Sequence, residues 1–559
     1  MMSNREGELS CDVLVVGTGA GALTAAIAAH DAGAQVLVVE KSDLYGGTSA
    51  TSGGGIWIPN NHHLFEEGGD DSLEDARAYM SVMVGNAVSS DRIDAYLDQA
   101  PKMVKYLEDH TQARFAAMPY PDYFPEKNGG KRGFRTLEPL PTHSNILGSE
   151  FANLRPPHKQ VTVLGRICIT MKEGRAMLTQ AKGSMLLAVK LILKYWLDIP
   201  GRLKGKRDRR ITMGGALVAR LRASLLDRKV PLLLSSPLRE LVYDQGRVIA
   251  AVIEQDGQRK TIAVRRGVIL GAGGFEHNQT LREKFLPKPS SSDWTAGNVH
   301  NTGDTLVAAL KIGALTDLME SAWWAPSIKV PGDDRAYILF AERSLPGNVI
   351  VNKAGERFAN EAFPYLESGY AMYQADSVPS FCVFDASFRH KYPFGPLMPA
   401  SVHSDDKLPS RIRSLLFKAD SIEELAEKMR VDATGLKKTI EKNNQYAATG
   451  RDPEFARGDS FYDQYYGDSH SGKNPCISPI VKAPFYGIEV FPGDIGTKGG
   501  LLTDAKARVL AEDGSVIEGL YAIGNTSASV MGRSYPGAGS TIGPAMTFGF
   551  IAGRHAAGQ

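Results

Sequence analysis

The sequence predicts an α/β fold with a parallel sheet, on three observations. The apolar run 13–16 ends in a glycine turn, Gly17-Thr18-Gly19-Ala20-Gly21-Ala22. Small and apolar residues at 22–29 then read as a helix, with His30 and Asp31 as its polar end and Gly33 closing it. A second apolar run follows at 35–40 and ends in Glu40. Strand, helix and strand at this spacing form a βαβ unit, and its two strands run parallel.

The turn fits G-x-G-x-x-G/A, with Ala22 in the last place. Gly17 permits the tight turn, Gly19 lets backbone approach a pyrophosphate, and a small residue at 22 lets helix and strand pack closely. Ala20 and Gly21 lead into the helix, whose free N–H groups and positive dipole end suit phosphates. Glu40 stands 19 residues after Gly21, placed to accept hydrogen bonds from a ribose diol. The unit is a Rossmann-like dinucleotide site.

FAD rather than NAD follows from the next segment. Lys41-Ser42 leads into 45–56, where ten of twelve residues are Gly, Ala, Ser or Thr. Such a stretch lets backbone amides lie against a flat ring system and its ribityl chain. Lys41, Gly47, Thr48, Ser49, Ser52, Gly53 and Gly54 are the candidates there. A second glycine-closed strand, 267–274, adds Ala272 and Gly273.

Bulk properties set the outer bounds. A chain of 559 residues exceeds one hydrophobic core, so two or more domains are expected. A net charge of +2 gives no case for nucleic acid. Cys11, Cys168, Cys382 and Cys476 have neither metal-ligand nor redox spacing and read as reduced structural thiols. Histidines are scattered, so no metal site is expected. The polar start, residues 1–8, carries no secretory pattern, and no uncharged apolar stretch of about 20 residues exists. Segment 71–108 reads as helical, 116–160 as loop, 232–258 as two strands around Gln245-Gly246, and 300–480 as a mixed region.

Near the C-terminus stand Glu518-Gly519-Leu520-Tyr521-Ala522-Ile523-Gly524-Asn525 and Gly543-Pro544-Ala545-Met546. With the glycine motifs, these make the chain resemble the fumarate reductase/succinate dehydrogenase flavoprotein superfamily over nearly its full length. The resemblance implies a Rossmann-like FAD-binding domain split in sequence, with an inserted α+β catalytic domain. The FAD domain would take residues 1–292 and 485–559, and the catalytic domain 293–484. It also implies that Gly524, Asn525 and Gly543 contact the flavin. Some members hold FAD covalently through a histidine; segment 45–54 has none, so non-covalent FAD is expected.

The segment Met531-Gly532-Arg533-Ser534-Tyr535-Pro536-Gly537-Ala538-Gly539 carries the substrate reading. Arg533 alone is a poor clamp for a dicarboxylate. A tyrosine hydroxyl with a backbone N–H suits a neutral ketone oxygen. This segment closely resembles the 3-ketosteroid Δ1-dehydrogenases. So do Pro121-Asp122-Tyr123, the run from Arg357 to Tyr365, Asp494 to Gly500, and Gly524 to Ala528. Phe124 departs from the pattern, where a tyrosine is common. The resemblance implies that Tyr535 and the Gly539 N–H polarise O3 of the steroid. It implies further that Tyr365 takes the C2 proton as phenolate or through a relay, that Tyr123 hydrogen-bonds Tyr365 and lowers its pKa, and that a hydride passes from C1 to flavin N5. An external acceptor, a quinone or similar, is implied. The alternatives are a 3-ketosteroid Δ4-(5α)-dehydrogenase and a fumarate-reductase-like alkene reductase.

Residues 172–210 stand apart. Segment 185–197 is apolar except for Lys190 and Lys194; Pro200-Gly201 interrupts it, and Arg202, Lys204, Lys206, Arg207, Arg209 and Arg210 follow, opposed only by Asp208. An apolar face with Tyr195-Trp196 and a basic flank suits a helix lying in a membrane interface. A cytoplasmic protein held peripherally at the inner membrane face is expected, collecting side-chain-bearing steroids such as cholest-4-en-3-one.

Overall fold

The computed structural model describes residues 9–559; the polar start 1–8 lies outside the described residues. The expected βαβ unit is β1 (Leu9–Val16), α1 (Ala20–Asp31) and β2 (Val36–Val39). β1 pairs in parallel with β2, Val13 opposite Val36, and on its other edge with β3 (Gln258–Leu270). Both faces of this sheet are covered, which explains apolar runs without alternation. The strands Leu238–Asp244 and Arg247–Gln255 meet around Gln245-Gly246 and lead antiparallel into β3.

The last segment returns to this sheet. β4 (Val516–Ala522) lies parallel to β3, with Val268, Ile269 and Leu270 opposite Leu520, Tyr521 and Ala522. α2 (Ile542–Ala556) then packs along α1 at backbone distance. A Cβ on Gly549 would stand 2.3 Å from the Gly21 carbonyl oxygen, and one on Gly553 2.4 Å from that of Ala25. No side chain fits at these two positions.

A second, antiparallel sheet forms from the middle of the chain. Its order is Tyr337–Ile338, Ala322–Ile328, Phe485–Thr497, Ser380–Asp385, Asn348–Val351, with Phe417–Ala419 also against Phe485–Thr497. The expected boundary at 485 falls on the first residue of a strand whose partners all lie within 293–484.

Segment 71–108 forms two helices, Leu73–Val84 and Ser90–His110. Segment 116–160, expected as loop, contains the strand Thr136–Pro139 between Ile56–Trp57 and Phe115–Ala117. Strands this short carry too few residues for a period to register. The four cysteines are buried and unpaired, as expected. The histidines are less scattered than the sequence suggests. His62 and His63 sit side by side, and both bond Glu108 at 2.9 Å, while His63 Nδ1 reaches Glu66.

Buried charges join the two sheets. Arg282 donates to Asp494 at 2.7 Å, and Asp494 accepts from the Thr295 hydroxyl at 2.6 Å. Glu276 is fully buried beside them; one carboxylate oxygen accepts from Asn301 at 2.7 Å, and the other has no partner among the described residues. Burial, helped by the Asp494 charge, pushes Glu276 up to about 7.

Two outcomes follow. Gly549→Val should destabilise the protein by about 3 kcal/mol, because overpacking here must move backbone; calorimetric melting measures it, and an unchanged melting point refutes the close-packed helix pair. Glu276 has its pKa raised on folding. Its contribution is therefore complete below the unfolded carboxyl value and is lost as pH rises through about 7. Glu276→Gln should thus melt with the wild type near pH 4 and stand about 3 kcal/mol above it at pH 9. Parallel decline in both proteins would assign the pH dependence to another group.

Candidate active site

One continuous cavity of about 1030 Å³ runs from the glycine turn to the quoted tyrosines. At its nucleotide end, Gly17 has φ +108°, and a Cβ there would meet the Gly271 carbonyl at 2.4 Å. α1 begins beyond it with no side-chain cap, so its N–H groups face the cavity beside Gly19, Ala20, Gly21 and Ala22. Ser49 Oγ accepts from the Ala20 N–H at 3.1 Å, which ties the small-residue helix Gly47–Thr51 to this terminus. Glu40 accepts from the Thr18 hydroxyl and, at 3.0 Å, from the Ser42 N–H. Burial raises its pKa against those bonds.

Lys41 pairs with Asp304 at 2.8 Å and bonds Thr302, so it clamps β2 to the loop 298–304. That loop was not singled out from the sequence. Asn298 and Asn301 both donate to Thr48 Oγ1, at 3.0 and 3.1 Å, and both line the cavity with His300. Its only sequence signal is an Asn-rich turn closed by Gly303. Gly47, Ser52, Gly53, Gly54, Ala272, Gly273, Gly524 and Asn525 also line the wall. Gly543 does not. It lies behind the wall, where a Cβ would meet the Trp57 carbonyl at 2.8 Å, and Thr541, Ile542 and Ala545 face the cavity instead. A helix N-terminus lining the cavity, positions with no room for Cβ and a buried acidic strand end together fit FAD.

At the other end the three quoted tyrosines converge. Ring centroids lie 5.0 Å apart for Tyr123–Tyr535, 5.3 Å for Tyr365–Tyr535 and 5.6 Å for Tyr123–Tyr365. Gly539 has φ +99°, and a Cβ there would stand 2.6 Å from the Trp57 N. Burial raises the pKa of Tyr535, opposed by bonds from Thr541, Tyr365 and the Gly539 N–H. Burial holds Tyr365 well above the ordinary tyrosine value, and a bond from Tyr123 works against it. Tyr462 and Phe340 complete the box, with centroids 5.1 Å from Tyr123 and 5.2 Å from Tyr365. Neither was foreseen; Tyr462 and Tyr466 on one helix face, four residues apart, would have been the signal. Arg533 points away to solvent and pairs with Glu320. No arginine clamp for a dicarboxylate forms from it.

Buried arginines hold these tyrosines. Arg135 donates to Asp122 at 2.8 Å and to Asp71, and Asp122 also accepts from Trp57 Nε1 at 2.7 Å. The Tyr123 N–H then bonds the Pro536 carbonyl at 2.8 Å, which docks one tyrosine loop on the other. Arg357 pairs with Glu361 at 2.7 Å and Asp452 at 2.8 Å. Arg343 donates to the Glu361 and Phe363 carbonyls and to Ser368, bracketing the start of the helix Tyr365–Gln374.

Residues 172–210 form the helices Met171–Leu178, Ser184–Leu197 and Ile199–Lys204. Pro200 opens a new helical turn rather than ending one, because Asp198 caps it. The basic run divides in two. Arg207 bonds the Phe151 and Leu154 carbonyls, Arg209 pairs with Asp198, and Arg210 pairs with Glu173. Lys182, Lys190, Lys194, Lys204 and Lys206 are exposed without a carboxylate partner among the described residues. Among them Met185, Leu186, Leu197 and Leu203 are 74–84% exposed. Met185, Leu164, Met398 and Val402 are exposed and also line the cavity, so its mouth is apolar and adjoins this face. No helix among the described residues is long and apolar enough to cross a membrane.

Comparison with known proteins agrees with this geometry. The family model "FAD binding domain" matches residues 12–542. The 3-oxosteroid 1-dehydrogenase of Mycolicibacterium smegmatis is 41% identical, over 97% of this chain and 96% of its own. That of Comamonas testosteroni is 40% identical, over 98% and 96%. The crystal structure of 3-ketosteroid delta1-dehydrogenase from Sterolibacterium denitrificans, in complex with 1,4-androstadiene-3,17-dione, superposes with a TM-score of 0.95 at 49% identity, covering 98% of this chain and 99% of that one. The chain therefore belongs to the FAD-binding family of that model and, within it, to the FAD-dependent 3-oxosteroid 1-dehydrogenases.

Proposed function

We propose that the protein desaturates the C1–C2 bond of 3-ketosteroids by removing a proton from C2 and a hydride from C1. The observation that carries this reading is the convergence of Tyr123, Tyr365, Tyr535 and Gly539 in one cavity with the glycine cradle. Bound non-covalently, FAD supplies the acceptor for the C1 hydride, and an external quinone-like acceptor completes turnover. The cradle 45–56 contains no histidine. The chain divides as an FAD domain, split around an inserted catalytic domain. The pairing of Phe485–Thr497 favours a second crossing near 498 rather than 485.

The residues divide the work by charge. The C2 hydrogen is acidic only while negative charge can move to O3. Tyr535 Oη–H and the Gly539 N–H line the same cavity and stabilise that charge as it develops. Tyr365 Oη takes the C2 proton. A tyrosine has an ordinary pKa of about 10, and burial raises that of Tyr365 further, so its ionised fraction grows with pH across the neutral range. The hydrogen bond from Tyr123 favours the ionised form. Dry aromatic walls from Phe340 and Tyr462 keep water from competing for the proton.

The apolar mouth supports a substrate that keeps its C17 side chain, lying past Met177, Leu178 and Met398. The exposed apolar face beside it supports peripheral attachment to an anionic bilayer, its unpaired lysines meeting the headgroups.

Anaerobic addition of androst-4-ene-3,17-dione should bleach the flavin, and turnover should rise with pH between about 7 and 9. Tyr365→Phe should retain flavin and lose activity by a factor on the order of 10² to 10⁴; near-normal kcat would rule out Tyr365 as the base. Changing Leu186, Trp196 and Leu197 together to glutamate should weaken sedimentation with anionic vesicles by on the order of tenfold or more. Unchanged sedimentation would remove this helix as the anchor.

A further inference from the structure

Lys498 is 0% exposed, yet its ammonium meets no carboxylate within ion-pair distance among the described residues. Nζ donates to the Gly532 carbonyl at 2.9 Å and to the Ser534 carbonyl. It also lies 4.0 Å from the centroid of the Trp323 ring, on whose face a cation is attracted. The backbone of Lys498 is fixed separately: its N–H bonds the Ser321 carbonyl at 2.9 Å, and its carbonyl accepts from Ser529 at 3.1 Å.

Every group the ammonium touches leads to Tyr535. Gly532 and Ser534 form the turn immediately before it. Trp323 meets the Tyr535 ring edge-on at 4.8 Å and donates to Asn525 Oδ1 at 3.1 Å. Tyr535 is thus held through its main chain and against its ring by one side chain. Burying an ammonium is costly unless its protons are well placed. A methionine would fill the same space without that cost, so packing alone does not account for a lysine. Burial pushes Lys498 well below the ordinary lysine value, opposed by the Glu367 charge. With or without its third proton, the amine has enough N–H bonds for both carbonyls.

We propose that Lys498 is a positioning residue that sets the Tyr535 hydroxyl on the C3 carbonyl of the bound steroid. The inference rests on the reading of Tyr535 as the donor to that carbonyl. The test is difference infrared spectroscopy of bound androsta-1,4-diene-3,17-dione, isotopically labelled at C3, in holoenzyme of wild type, Tyr535→Phe and Lys498→Met. Polarisation by Tyr535 lowers the C3 carbonyl stretch. Lys498→Met should keep its flavin, return the stretch part of the way toward the Tyr535→Phe value, and lower kcat by about tenfold or more while KM changes less. Lys498→Arg, which keeps the donors and the cation, should recover part of both signals. If Lys498→Met fails to load flavin, Trp323→Phe decides, because it disturbs the same seat and keeps an aromatic ring. No displacement of the stretch in Tyr535→Phe would overturn the reading of Tyr535 itself. Displacement there, with a wild-type stretch in a flavin-loaded Lys498 or Trp323 variant, would overturn the role of Lys498 alone.

Discussion

The structure depends on two helices that meet backbone to backbone at their glycines. α1 follows the glycine turn, and α2 ends the chain, more than 500 positions later. Their contact places the Gly549 and Gly553 backbone against the Gly21 and Ala25 carbonyls. The turn carrying Tyr535 and Gly539 runs directly into α2, so the approach of α2 to α1 sets the distance between the nucleotide cradle and the ketone site. The parallel register of β3 and β4 enforces the same approach from the sheet side. A shift of one residue in that register would move Leu520, Tyr521 and Ala522 off Val268, Ile269 and Leu270 and carry α2 out of step with α1.

A second layer of constraint is ionic and buried. Arg135, Arg282, Arg343 and Arg457 are among the largest fully buried side chains, and each stands at a joint. Arg135 joins the Tyr123 loop to the sheet strand that holds Trp57. Arg282 joins the two sheets through Asp494. Arg343 brackets the Tyr365 helix, and Arg457 donates to Glu361 within the Arg357 network. Such pairs add little net stability compared with apolar packing, but losing one partner is expensive. They therefore specify one arrangement of the loops, which a site built from three hydroxyls in separate segments requires.

This division explains what was legible in the sequence. The βαβ unit could be read because its signals are local: a strand ending in glycine, a helix opening beside it, and an acid at a fixed spacing. The tyrosines could be read only through resemblance, since nothing local distinguishes Tyr123 from Tyr120 or Tyr365 from Tyr373. Phe340, Tyr462 and the loop around Asn301 stayed hidden because their roles arise from long-range packing. Gly543 looked like a flavin contact by position but is consumed by close packing on Trp57. The basic run 202–210 was read as one charged flank. Its arginines instead find carbonyl and carboxylate partners inside the protein, and only the lysines face solvent. A guanidinium satisfies several acceptors at once, whereas an ammonium on a flexible stem remains better hydrated at the surface.

Under the proposed mechanism, burial acts in opposite senses on Tyr535 and Tyr365. Tyr535 must stay neutral to donate, and desolvation helps by raising its pKa. Tyr365 must lose a proton, and the same desolvation opposes it. A wetter site would ease ionisation of Tyr365 but weaken every hydrogen bond to the developing charge on O3. On this reading Tyr535 adds to the burial that opposes ionisation of Tyr365, the Tyr123 bond works against both, and polarisation of O3 makes the C2 hydrogen a stronger acid. The demand on Tyr365 therefore falls as the placement of Tyr535 improves. On the proposed reading, catalysis depends also on residues that never touch the steroid, those that hold the turn 532–539 against Trp323 and Trp57.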